Sequence, residues 1–104
     1  MTITVEFSGP IASIILLGGI DYSLQEELRN AIAKALSAEE VREIHVDFTK
    51  STFLDSSAIR ALILLHKEAS SNGISLVLLN CNDNMLEIFE IGGFDRIFTF
   101  RTSS

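Results

Sequence analysis

The chain has one cysteine, one proline, one tyrosine and no tryptophan, and its eight basic side chains are outnumbered by fourteen acidic ones. A lone cysteine, Cys81, excludes an internal disulfide and removes any sign of an oxidising compartment. The net charge of −6 argues against nucleic acid and against anionic membrane surfaces, since phosphates would be repelled. It suits a partner with a basic patch. Long apolar runs are missing too: the longest, Ile11 to Ile20, contains Ser13 and two glycines and is too short to span a bilayer. The first residues alternate polar and apolar rather than running basic then apolar as a signal peptide does. The expectation is a cytoplasmic protein with no direct membrane insertion.

Catalytic and cofactor signatures are equally scarce. Gly18-Gly19 lacks the further glycines and the Lys-Ser/Thr of a phosphate loop. His45 has no cysteine or acidic residue at metal-ligand spacing, so no metal is expected. His66 falls on an inward or boundary helix position and reads as a packed histidine. Cys81 lies in a loop, where its thiol could be exposed, yet no basic neighbour activates it. No nucleophile elbow is present. The residues themselves point to a non-enzyme without a cofactor.

What is present is a single domain over 1–104, with 47% hydrophobic and 21% charged residues. Ile3, Val5 and Phe7 alternate with polar neighbours, Gly9-Pro10 turns the chain, and Ile11 to Leu17 reads as a buried strand ended by Gly18-Gly19. Leu24, Leu28, Ile32 and Leu36 then recur at helical spacing, with Ser23 as the expected N-cap and Glu26 completing a capping box. Glu43 to Phe48 alternates as a strand. A second helix is predicted from Ser56 to Ser70, closed by Asn72-Gly73, and a fourth strand over Ile74 to Leu79. Asn82 or Asp83 caps a third helix with Met85, Leu86, Ile88 and Phe89 as its apolar residues, ended by Gly92-Gly93 against Phe94. Arg96 to Phe100 is a last strand, and Arg101 to Ser104 are expected to fray. The order β-β-α-β-α-β-α-β implies an α/β fold, a mixed sheet with helices packed against it and right-handed crossovers.

The richest segment is Val46 to Leu65, where a strand leads through Phe53-Leu54 into Asp55-Ser56-Ser57 and an apolar helix. Asp and Ser are preferred caps, so the tripeptide alone is a helix-start signal. It also places two hydroxyls where helix N–H groups are unpaired and the helix dipole is positive, a place that tolerates phosphate. Helix 2 carries Ile59, Leu62, Ile63, Leu64 and Leu65; five large side chains cannot all face inward, so one or two are expected at the surface. Arg60 and Lys67 fall on its polar side.

This segment resembles the signature of STAS domains, especially the anti-sigma factor antagonists. The resemblance extends to Gly19-Ile20-Asp21 before the first helix, to Asn72-Gly73 before the fourth strand, and to Phe89 through Phe98 near the end. It implies that Ser56 is the phosphorylated serine, with Ser57 as fallback, and that Asp21 is the acidic residue on the loop beside it. Asp21, Tyr22, Ser23, Asp55, Ser57, Ala58, Ile59 and Arg60 are then the expected partner-binding set. Where the family has glycine after the hydroxyl pair this chain has Ala58, which adds a methyl near the expected partner surface. The implied mechanism is partner switching. The unphosphorylated domain, monomeric on its own, binds a serine-kinase anti-sigma factor and frees a sigma factor. The kinase, using its own ATP, phosphorylates Ser56 and ends the complex, and a serine phosphatase restores it. Two other readings stand beside it: a STAS adaptor in a lipid-transport ATPase complex or in secretion or biofilm regulation, and a small-molecule-binding or enzymatic α/β domain.

Overall fold

The computed structural model describes residues 3–102; of the residues expected to fray, Ser103 and Ser104 lie outside them, whereas Arg101 does not fray, because it pairs with Leu79 at the end of the sheet. Five strands, β1 (Ile3–Ser8), β2 (Ile11–Ile20), β3 (Glu43–Leu54), β4 (Ser75–Leu79) and β5 (Thr99–Arg101), form one sheet in sequence order. β1 and β2 are an antiparallel hairpin, and β3, β4 and β5 each add in parallel. Ser8 pairs with Ile11, leaving Gly9 and Pro10 as a two-residue turn, and the +57° φ of Gly9 supplies the left-handed backbone that a primed turn needs at its first central position.

Three helices cover one face of the sheet: α1 (Gln25–Ser37), α2 (Ser56–Ser71) and α3 (Asp83–Ile91). α1 lies on β1 and β2, α2 on β3 and β4, and α3 on β3. Register explains the core. Ala12 and Ile14 sit beside Ile44 and Val46, which sit beside Leu76 and Leu78, and all six are buried. Their sequence neighbours Ser13, Ile15, His45 and Asp47 are only partly buried, on the other face. Facing that apolar row, α1 contributes Leu28, Ala31 and Ala35, and α2 contributes Ala58, Leu62, Leu65 and Ala69. Burial of a large aliphatic side chain stabilises by roughly 1.5–3 kcal/mol, so this row fixes where both helices sit.

The ends of the elements differ from the sequence expectations in several places. β2 does not stop at Gly18-Gly19 but runs to Ile20, because β3 also runs on to Leu54 and keeps pairing through two register shifts. Each shift places extra β3 residues opposite β2, so Ser51 and Leu54 turn inward while Thr49, Lys50, Thr52 and Phe53 turn out. Ser23 is not the cap of α1. A single 3-10 turn, Tyr22–Leu24, precedes the helix; Asp21 caps that turn, accepting from the Ser23 N–H at 2.9 Å and the Ser23 hydroxyl at 2.5 Å, and α1 itself starts after Leu24 with no side-chain cap bond. Glu26 completes no capping box and instead pairs with Arg29 at 3.5 Å. The last strand starts at Thr99 rather than Arg96, since Phe94–Arg96 closes as another 3-10 turn after Gly93, whose φ is +77°. On α3 only Met85 and Phe89 reach the core, and Leu86 and Ile88 face outward.

α2 ends as its Asn-Gly pair predicts. Ile74 N–H reaches Ala69 O at 2.8 Å and Gly73 N–H reaches Ser70 O at 3.1 Å, the paired bonds of a Schellman motif, with Gly73 at φ +71°. Asn82 is the cap of α3, its side chain accepting from Met85 N–H at 2.8 Å.

Candidate functional site

β3 delivers its last residues to the same end of the sheet as β2, and the two exits are tied together. Asp55 N–H donates to Ile20 O at 3.1 Å, so the corner before α2 lies against the loop that begins α1. Asp55 is extended (φ −92°, ψ 178°) and caps α2: one carboxylate oxygen, Oδ1, accepts from Ala58 N–H at 2.9 Å and from the Ser57 hydroxyl at 2.7 Å. Its carboxyl is held below the usual range, first by the Ser57 hydroxyl, then by the Ala58 N–H, with smaller help from the Ser57 and Tyr22 backbone N–H groups against the opposing effect of burial. The Tyr22 contribution again joins the two loops.

The two serines therefore differ. Ser57 is half-buried and its hydroxyl is committed to Asp55. Ser56 is exposed at the first helical position, and its hydroxyl has no hydrogen bond to any described residue. A group added there lies at the positive end of the α2 dipole, beside N–H groups that the Asp55 cap already engages, and does not displace that cap. Ser56 lines a shallow hollow of about 280 Å³ with Tyr22, Gln25, Ser57 and Arg60.

Of the expected partner-binding set, Tyr22, Ser57 and Arg60 share that hollow with Ser56, whereas Asp21 and Ser23 are exposed on the loop before α1 and do not line it, and Asp55 is half-buried. Ile59 is half-buried and packs on the core. Ala58 is 3% exposed, so its methyl points into the core rather than toward a docking protein. The expectation that this methyl crowds a partner is corrected by the helix phase: Ala58 begins the inward row of Leu62, Leu65 and Ala69. Of the apolar residues of α2, Leu64 alone is strongly exposed, at 57%. Phe53 was missed as a surface feature. It is half-exposed and lies over Gly19, where any Cβ would come within 2.1 Å of its ring. Nothing local to Phe53 marks it as exposed; the register shifts of β3 against β2 turn it outward.

The other titratable residues gather elsewhere. His45 contacts Glu43 at 2.6 Å and His66 packs edge-on against Phe98 at 5.8 Å. Burial acts on Asp47 to raise its pKa, and hydrogen bonds from Thr49 and Asn80 outweigh it, leaving the carboxyl below its ordinary value. Cys81 is half-buried rather than exposed, and burial pushes its thiol up to about 12. Among the described residues no group of three or more His, Cys, Asp or Glu side chains is placed to hold a metal, and no helix is long and apolar enough to cross a membrane.

A hairpin-plus-parallel sheet with a capped, hydroxyl-bearing helix start at one edge defines a small α/β domain of the SpoIIAA-like fold. The STAS domain family model matches residues 2–104, and the chain belongs to the STAS domain family. A STAS-domain containing protein of Pseudomonas aeruginosa is 30% identical over 90 residues, 86% of this chain and 87% of that protein. The unphosphorylated form of the anti-sigma factor antagonist SpoIIAA superposes with a TM-score of 0.78 at 22% identity, covering 98% of this chain and 89% of that one. The same fold occurs in a sulfate transporter family protein of Wolinella succinogenes, with a TM-score of 0.74 at 14% identity over 88% of this chain and 76% of that one.

Proposed function

We propose that this domain is an anti-sigma factor antagonist that works by partner switching, with Ser56 as its phosphoacceptor. The observation that carries the reading is the contrast within the corner: a free, exposed Ser56 hydroxyl beside a Ser57 hydroxyl tied to the cap. The unmodified corner, with Asp21, Tyr22, Ser23 and Arg60 around it, docks a serine-kinase anti-sigma factor. Phosphate at Ser56 adds close to two negative charges near Asp21 and Asp55 on a chain already at −6. The first turn of α2 offsets part of that charge, so the helix persists while the interface fails. A buried charge mismatch of roughly 3–4 kcal/mol lowers affinity several-hundredfold. A phosphatase resets the switch, and the domain itself performs no catalysis. The fold of the SpoIIAA neighbours, one of them in a phosphorylated form, supports the reading.

Incubation with the serine-kinase anti-sigma factors of the same genome and ATP, followed by phosphopeptide mapping, tests it. Label at Ser56 is the expected result; absence of label from the Asp55–Arg60 peptide overturns it. The occurrence of the fold in a sulfate transporter family protein favours a second reading, an adaptor bound through the same corner without phosphorylation. Co-purification with a transport ATPase would put it first.

A further inference from the structure

Beside the serine corner, α1 and α2 leave an open groove of about 260 Å³ between them. Because β2, β3 and β4 run parallel, both helices leave the same edge of the sheet and travel in the same direction. The groove thus has an ordered lining. Gln25 and Ser57 lie at its start, Arg29 and Arg60 follow, Ile32, Leu64 and Leu65 make its apolar middle, and Glu68 marks its end. From Ser57 to Glu68 the helix rises about 16 Å, at about 1.5 Å per residue. This is room for about three turns of an incoming helix.

The charges here run against the rest of the molecule. Only eight basic residues are present, yet two of the five arginines line this one groove. Arg29 has a loose surface partner in Glu26 at 3.5 Å, with both side chains mostly exposed, a pairing of little energetic weight. Arg60 has no ion pair with any described residue. Leu64, the most exposed apolar residue of α2, sits one turn beyond it. A groove with cations at its head and leucine in its middle is complementary to a segment that carries carboxylates next to an apolar stripe.

We propose that the α1–α2 groove docks an acidic amphipathic helical segment of a protein partner, its carboxylates on Arg29 and Arg60 and its apolar side chains on Ile32 and Leu64. Arg60 also lines the hollow around Ser56, four residues before it on the same helix face. Phosphate at Ser56 offers that guanidinium a stronger, closer anion and draws it out of the groove. Occupancy therefore falls when Ser56 is phosphorylated. This second step rests on Ser56 as the phosphoacceptor; the groove does not.

The test is an NMR titration of the isotope-labelled full chain with a synthetic, end-blocked three-turn peptide bearing glutamates at one end of a leucine stripe. Shift changes are expected along Arg29, Ile32, Arg60 and Leu64. Arg60→Gln should weaken binding about fivefold, and Leu64→Glu about tenfold or more. Both sites are exposed, so unchanged unfolding curves will certify both variants. Shifts centred on the exposed Ile88 and Ile91 of α3, equal binding by a peptide with lysine in place of glutamate, unchanged affinity in both variants, or no shifts at millimolar peptide would each overturn the proposal. Phosphoserine installed at position 56 during translation should weaken the peptide at least about fivefold; unchanged affinity would sever the link to Ser56. No kinase enters this experiment, so failure of kinase labelling would remove the partner-switching reading and leave the groove result as it stands.

Discussion

Replacing Asp55 by alanine tests the physical basis of the corner. The carboxylate holds the Ala58 N–H at 2.9 Å and the Ser57 hydroxyl at 2.7 Å, and it receives further help from the Tyr22 loop. Loss of a helix N-cap costs typically about 1 kcal/mol and up to about 2. Three contacts end on this one group, so the upper half of that range is expected. For a domain near 100 residues this corresponds to a fall of roughly 6–15 °C in Tm. Asp55→Asn keeps an acceptor oxygen and should lose a third of that or less. The pH dependence carries a definite sign. The folded carboxyl lies below its unfolded value, so its contribution is fully present above the unfolded pKa and disappears as pH falls through the folded one. Thermal melts at pH 7 and at about pH 2–3, below the ordinary carboxylate range, should find the gap between wild type and Asp55→Ala wide at neutral pH and narrow in acid. An alanine variant that melts with the wild type at pH 7, or a gap that stays constant in acid, would refute the reasoning.

Label should favour Ser56 over Ser57 by about tenfold, since modifying Ser57 first breaks a bond to an ionised group; mass spectrometry of Ser56→Ala and Ser57→Ala checks this, and near-complete loss in the second variant alone would contradict it. Gly19→Ala drives a methyl into the Phe53 ring at 2.1 Å, so urea unfolding should register a loss of about 1 kcal/mol. That loss should vanish when the same change is made in a Phe53→Ala background. Leu62→Ala, in the core at 1% exposure, should cost about 2–5 kcal/mol, whereas Leu64→Ala should stay within about 0.5 kcal/mol by the same assay.

Periodicity carried most of the architecture. Alternation in Ile44-Val46-Phe48 and the four-residue spacing of Leu28, Ile32 and Leu36 are local patterns, and each became the expected element, with Leu24 falling in the 3-10 turn just before α1. The closing Asn72-Gly73 and the cap at Asn82 were legible for the same reason, because such motifs are satisfied by near neighbours. The misses depend on distant partners. β2 passes through two glycines because the far end of β3 pairs with it, which no window around Gly18 contains. Ser23 lost its expected role as cap of α1 because the chain first makes a 3-10 turn, capped by Asp21, that takes Ser23 into its middle. In the site, Asp-Ser-Ser announced a capped helix start, but only the structure separates a tied Ser57 from a free Ser56. Ala58 lost its expected surface role for a reason of phase alone, since three residues after the cap the helix has turned inward.

The account depends most on phosphate at one oxygen deciding whether a partner can dock. The direct measurement is the Kd of the serine-kinase anti-sigma factor for the unmodified chain and for the chain carrying phosphoserine at position 56, by calorimetry at fixed salt. A several-hundredfold weakening, with the far-UV circular dichroism unchanged, is the predicted result. Equal affinities for the two forms would contradict it.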